Sequence, residues 1–227
     1  MRAALLAAIV ASGCGAATSE ITCRRDPDCP GAAVCEGARC LDPARLGTPA
    51  LLAARRVVLW PEDDAVVSRG VASRALGATD FLSVGGGGAS AAFRSYLRFD
   101  LTPVAGTRPV QRAELRLRTR AGPPGLPASS CRFGVYLAGR PWQGARLTWD
   151  NQPGPSGDEK AWTVVPGAAE TEIRIDVTSL VSELAQGMLP NHGFVLVARS
   201  EDERARVVAY SSRSPRREVR PRLEVLF

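Results

Sequence analysis

From Val57 onward short apolar or alternating runs follow one another at short intervals, many of them divided by glycine and proline clusters. VVLW, DAVVS, FLSV, SYLRFDL, AELRLRTR, RFGVYLA, ARLTW, AWTVV, TEIRIDV, GFVLVA, VVAYSS and RLEVLF each have the length of one strand. Strands at this spacing predict an antiparallel sandwich or barrel and argue against strand–helix–strand units. The expected centre is Arg94–Leu101, where Ser95, Leu97, Phe99 and Leu101 alternate with Tyr96, Arg98 and Asp100. The first set should face a second sheet and the second set should carry polar tips outward. In AELRLRTR, Leu115 and Leu117 point one way while Glu114, Arg116 and Arg118 point the other. Such a polar row is either a solvated sheet face or, on a concave sheet, a ligand-facing one.

One helix should interrupt the strands. Asp176 and Thr178 can cap backbone donors, Leu180, Val181 and Leu184 form a helical stripe, and Gly187 ends it. It is expected to plug an open end of the sandwich. Gly85–Gly88 is no phosphate cradle, because no Lys or Ser/Thr follows at the required spacing and a strand comes next.

The amino terminus reads as an export signal over residues 1–13: Arg2, an apolar run Ala3–Ala11, then small residues before Cys14. That run is too short to span a bilayer. Ala11-Ser12-Gly13-Cys14 resembles the bacterial lipoprotein box, departing from it at Ala11 where leucine is usual. The resemblance implies lipid on Cys14, with acyl chains as the only membrane contact. Gly15, lacking the aspartate of inner-membrane retention, points to the outer membrane or cell surface; plain secretion is the alternative. Residues 14–42 form a cysteine-rich segment in which Cys23, Cys29, Cys35 and Cys40 allow three pairings. Disulfides are favoured over zinc, since there is no C-x-x-C spacing and no nearby histidine. Residues 43–56 read as a linker, and Cys131 reads as a buried free thiol.

Arginine and lysine outnumber aspartate and glutamate 29 to 23. The arginines are scattered among strands rather than gathered in a run, which argues against a nucleic-acid partner. Catalytic constellations are not placed. His192 is the single histidine, in a turn, so a two-histidine metal site is excluded, and no G-x-S-x-G elbow occurs. The acids Glu62, Asp63 and Asp64, and Glu201, Asp202 and Glu203, read as solvated turns rather than a glycosidic pair. The chain is therefore expected not to be an enzyme. The one cofactor expectation is a structural Ca²⁺ on oxygen ligands from Asp63, Asp64 or Asp80.

SYLRFDL, VQRAELRLRTR, RPWQGARLTWDNQP, IDVTSLVSELAQG, NHGFVLV, AYSSRS and RPRLEV, in that order, resemble the DNRLRE-type domain, also grouped with carbohydrate-binding modules of family 96. The resemblance covers residues 57–227. It implies a jelly-roll β-sandwich appended to surface proteins, some of which bind acidic polysaccharides such as alginate. Arg98, Arg116 and Arg118 are then candidate donors to uronate carboxylates, and Trp142 or Trp149 a candidate aromatic platform. Core packing is the favoured reading of each tryptophan, and Asp150, Asn151 and Pro153 can make the segment a structural corner. Trp60 and Trp162 are weaker platform candidates. The competing reading is a structural or adhesive domain that contacts other envelope proteins. What separates the two is whether arginines and an aromatic share one open groove.

Overall fold

The computed structural model describes residues 23, 28–29, 33–36, 39–41, 55–77, 79–88, 91–106, 109–120, 130–165 and 170–227. The export signal, Cys14 and most of the linker lie outside the described residues. The chain divides into two compact units, Met1–Leu51 and Leu52–Phe227.

In the first unit the three open pairings reduce to Cys23–Cys35 and Cys29–Cys40. Strands β1 (Val34–Glu36) and β2 (Arg39–Leu41) form an antiparallel pair with Cys35 opposite Cys40. The bridges close loops with separations of 12 and 11 residues. A loop of that size removes about 3 kcal/mol of unfolded-chain entropy, which substitutes for a core that so short a segment cannot build.

The second unit is an antiparallel β-sandwich. Its strands are β3 (Arg56–Leu59), β4 (Pro61–Ser68), β5 (Phe81–Gly85), β6 (Phe93–Phe99), β7 (Arg112–Arg118), β8 (Cys131–Ala138), β9 (Pro155–Val165), β10 (Glu172–Asp176), β11 (Phe194–Ala198), β12 (Arg206–Tyr210) and β13 (Arg222–Leu226). The four-stranded sheet runs β10-β7-β13-β3; the seven-stranded sheet runs β12-β5-β6-β11-β8-β9, with β4 also paired to β6. Chain neighbours such as β6 and β7, β7 and β8, or β9 and β10 lie in opposite sheets, the crossing habit of a jelly roll. Leu115, Leu117, Ile173, Ile175, Leu223 and Val225 of the smaller sheet meet Leu97, Phe99, Phe133, Val135, Phe194 and Leu196 of the larger in one buried cluster. Cys131 is a buried free thiol in that cluster, and burial pushes it up to about 11. Helix α1 (Thr178–Ala185) buries Leu180, Val181 and Leu184 in the same core. Asp176 Oδ1 accepts from the Thr178 amide at 2.9 Å, and Gly187 ends the helix at φ 71°.

Two expectations are corrected. ARLTW is not a strand: Gly144–Arg146 is a 3₁₀ turn within a long loop. The face of β6 expected to be polar is not open either, because Tyr96 is completely buried. With Ala65, Val67, Ala138, Trp142, Leu147 and Val195 it forms a second apolar cluster on the outer face of the larger sheet, beneath that loop.

The outer face of the four-stranded sheet is an ion-pair lattice. Arg116 of β7 lies directly opposite Arg222, and Glu114 directly opposite Glu224, which would repel if the pairs met head on. The side chains pair along their own strands and diagonally across to neighbouring strands instead. Arg116 reaches Glu114 (2.8 Å), Glu224 (3.0 Å) and Glu172 (3.4 Å), while Arg222 reaches Glu172 (2.7 Å) and Glu224 (2.9 Å). Burial raises the carboxyls of Glu172 and Glu224, but the bonds from Arg222, from Arg174 to Glu172 and from Arg56 to Glu224, with the Arg116 charge, outweigh it. Both therefore sit below the ordinary 4.5. A depressed folded value stabilises the fold above the unfolded one and is lost as pH falls through it. We expect stability to decline below pH 4.5. In acid titrations followed by circular dichroism, E172Q/E224Q should flatten that decline; an unchanged slope would contradict the lattice.

Candidate functional site: a cationic groove beside the 139–154 loop

The loop from Gly139 to Gly154 is tied down by its own polar side chains. Asn151 Oδ1 accepts from the Thr148 amide at 2.8 Å, and Asn151 Nδ2 donates to the Arg146 carbonyl at 2.9 Å. Gln152 Nε2 donates to the Trp149 carbonyl at 3.0 Å. These bonds replace a strand ladder, which is why the segment holds its shape without one. The Tyr96 hydroxyl lies 2.7 Å from the Pro153 carbonyl and 2.8 Å from Gln152 Oε1, so the loop is stitched to β6 from below. Gly144 donates to Asp63 Oδ2 at 2.8 Å, and a Cβ there would stand 2.4 Å from Asp63 Oδ1, so the close approach requires glycine.

Trp142 is the loop's anchor. Its ring is 5 % exposed and meets Tyr96 edge-on at 5.5 Å; its Nε1 donates to the His192 carbonyl at 2.7 Å. Arg98 donates to the Trp142 carbonyl at 3.0 Å, with its guanidinium 5.4 Å from the ring centroid. Above this pair opens a groove of about 530 Å³, lined by Arg98, Arg140, Trp142, Arg146 and Asn151 among others. Arg98 keeps only loose partners, Glu62 at 3.5 Å and Asp63 at 3.9 Å. Arg140 donates to the neutral Asn151 carbonyl at 2.7 Å. Among the described residues neither Arg140 nor Arg146 has a carboxylate within 4.0 Å. Arg140 and Arg146 thus give the groove positive charge that no nearby carboxylate among the described residues offsets, which suits it to anionic groups.

The other candidates fall elsewhere. Arg116 and Arg118 are on the opposite sheet; Arg116 is surrounded by glutamates and Arg118 faces Glu170 at 3.7 Å. Trp149 is half-buried against the second core, with Arg94 and Arg69 4.8 and 5.1 Å from its centroid. Glu201 binds both arginines, at 2.7 and 3.2 Å. Asp63, Asp64 and Asp80 do not converge into a metal cluster among the described residues. Asp63 accepts from Gly144, Asp64 is fully buried against Arg213, and Asp80 pairs with Arg120 at 3.1 Å. Their charges are already matched by arginines, so the calcium expectation has no built site here. Cys23, Cys29 and Cys40 are near one another only because they are in disulfides.

The model of carbohydrate-binding module family 96 matches residues 56–226. The chain belongs to that family. No curated relative matches it. The match spans both sheets, the 139–154 loop and the groove, so these belong to the carbohydrate-binding module itself. Sequence reasoning missed Arg140 and Arg146. The available signal was their position on either side of Trp142–Gln143 in a loop with no acid before Asp150.

Proposed function

We propose that the module binds acidic polysaccharide without cleaving it, through the Arg98–Arg140–Arg146 groove, on an exported chain held to the outer membrane or cell surface by lipid on Cys14. The observation that carries the ligand class is the contrast between two arginine populations. Those of the four-stranded sheet are matched by glutamates of their own and neighbouring strands, whereas Arg140 and Arg146 are not. Uronate carboxylates accept two parallel N–H bonds from a guanidinium, and charge-assisted bonds of this kind are the strong ones. Trp142 contributes by fixing Arg98 and the loop, since a ring so deeply buried offers a sugar little area. Non-catalysis is supported by the acids: Glu62, Asp63 and Asp64 face Arg98 and Arg213, while Glu201 and Asp202 face Arg69 and Arg94. The anchor rests on the sequence around Cys14.

Titration of the full chain with alginate and with polygalacturonate tests this reading. Binding should weaken sharply between about 0.05 and about 1 M salt, where the screening length falls to roughly 3 Å. R140A/R146A should lose about tenfold or more in affinity at low salt, and R116Q should bind like the parent. Equal affinity for a neutral glucan, or an unaffected double variant, would remove the groove from the account. Binding to envelope proteins with no response to either polyuronate would return the structural or adhesive reading.

A further inference from the structure

Trp162 of β9 is 58 % exposed, and its neighbour two residues on, Val164, is 50 % exposed. Both project from the outer face of the larger sheet: Ala161 and Val165 pack into the core, so Trp162 and Val164 point the other way. Burying a tryptophan is among the most favourable side-chain transfers, so one left open beside well-packed sheets needs a reason. Its surroundings are ordered. Arg132 on β8 places its guanidinium 4.7 Å from the Trp162 centroid and donates to Glu159 Oε1 at 2.9 Å. The Tyr136 hydroxyl reaches Glu159 Oε2 at 3.3 Å. Gly134, directly opposite Trp162, leaves the space: a Cβ there would stand 2.4 Å from Glu159 Oε2. The result is an open indole bordered by a fixed rim of one guanidinium, one carboxylate and one phenol.

We propose that Trp162 is a second sugar-binding subsite, a stacking platform on which one pyranose ring lies while Arg132, Glu159 and Tyr136 hydrogen-bond its hydroxyls. A pyranose has an apolar C–H face and a polar circumference, and the patch reproduces that pattern with an apolar plate and a polar rim. A protein partner would be expected to need a wider apolar surface, whereas among the described residues apolar exposure here is confined to Trp162 and Val164 between ionised groups. The subsite lies on the same sheet face as the arginine groove. Register places Arg94 of β6 opposite Val67, and Gly134 of β8 opposite both Val197 and Trp162, so β4, β8, β9 and β11 contribute outward positions to one surface. The proposal rests on the carbohydrate-binding reading, and differs from the groove in its physics: stacking is weakly sensitive to salt, ion pairing strongly so.

The test titrates the full chain and its variants with alginate and polygalacturonate at about 0.05 M and about 1 M salt, following tryptophan fluorescence and sedimentation. W162A should lose about tenfold or more in affinity at both salts, and W162F should retain most of it. The side chain is solvent-exposed, so thermal stability should hold and a folding artefact is separable. W162A binding like the parent while R140A/R146A fails would overturn the platform and leave the groove standing. Loss in W162A with R140A/R146A unaffected would support the platform and move the main site away from the groove. A parent chain that binds neither polyuronate would overturn both. A change in self-association alone on W162A would make the patch a contact between copies and overturn the sugar assignment.

Discussion

R213A should cost about 3–5 kcal/mol at neutral pH, the penalty for leaving a buried charge without its partner. Asp64 of β4 is entirely buried. One of its carboxylate oxygens accepts from the Ser212 amide, the other pairs with Arg213, and the Arg213 Nη1 also donates to the Asp64 carbonyl at 3.1 Å. Burial pushes the Asp64 carboxyl above its ordinary 3.8, even though the Ser212 N–H and the Arg213 charge pull it down. Removing Arg213 leaves the carboxylate with the Ser212 bond alone. An acid whose folded value is raised contributes most below its unfolded value and progressively less as pH climbs through the folded one. The deficit of R213A relative to the parent should therefore be largest near neutral pH and shrink on acidification, while the contribution of the Asp64 titration itself runs opposite in sign to that of Glu172 and Glu224. D64N added to R213A should recover much of the loss, because no buried charge then remains. Urea denaturation of the three chains at neutral and mildly acidic pH measures this. A deficit of under about 1 kcal/mol, or one indifferent to pH, would show that the pair carries little.

The second large effect concerns the loop. W142A should lose about 3–5 kcal/mol, the range for removing a fully packed tryptophan. The residue fills the second core against Tyr96, Leu147 and Val195, and its Nε1 holds the His192 carbonyl. W142F should cost less, about 1–2 kcal/mol, because the apolar volume is largely kept while one hydrogen bond to a buried carbonyl is lost. Because the Trp142 carbonyl also receives Arg98, W142A should loosen the groove, and polyuronate affinity should fall with stability. Thermal melts and polyuronate titration on the same samples would separate the two ideas about this ring. If binding fell with no loss of stability, Trp142 would be a sugar platform and not a packing residue.

Both effects lie where local reading was weakest. Alternation along β7 correctly separated Leu115 and Leu117 from Glu114, Arg116 and Arg118, because side-chain direction in a strand is a property of the strand alone. The helix, with Asp176 at its start and Gly187 at its end, was legible for the same reason: caps act within one turn. The motif Leu147–Pro153 was legible as a corner, since Asn151 bonds residues only three and five positions away. Pairing among the four clustered cysteines was not, because spacing alone permits each alternative.

Tyr96 and Arg116 show where local pattern stops. Tyr96 occupies a polar-looking position in its strand, yet a loop more than 40 residues away covers it and supplies Gln152 and Pro153 to its hydroxyl. Arg116 looks like an available cation until β10 and β13 bring Glu172 and Glu224 beside it. Trp162 stood with Trp60 behind Trp142 and Trp149 in the sequence and is the exposed aromatic among the described residues. The order of residues thus dictated the strand faces, the helix ends, the disulfide chemistry and the family. Which arginines carry unmatched charge, and which aromatics face solvent, was settled by sheet register and loop packing. Compensation and burial are set by neighbours in space, and the Arg222–Glu172 and Arg56–Glu224 pairs join positions 50 and 168 residues apart.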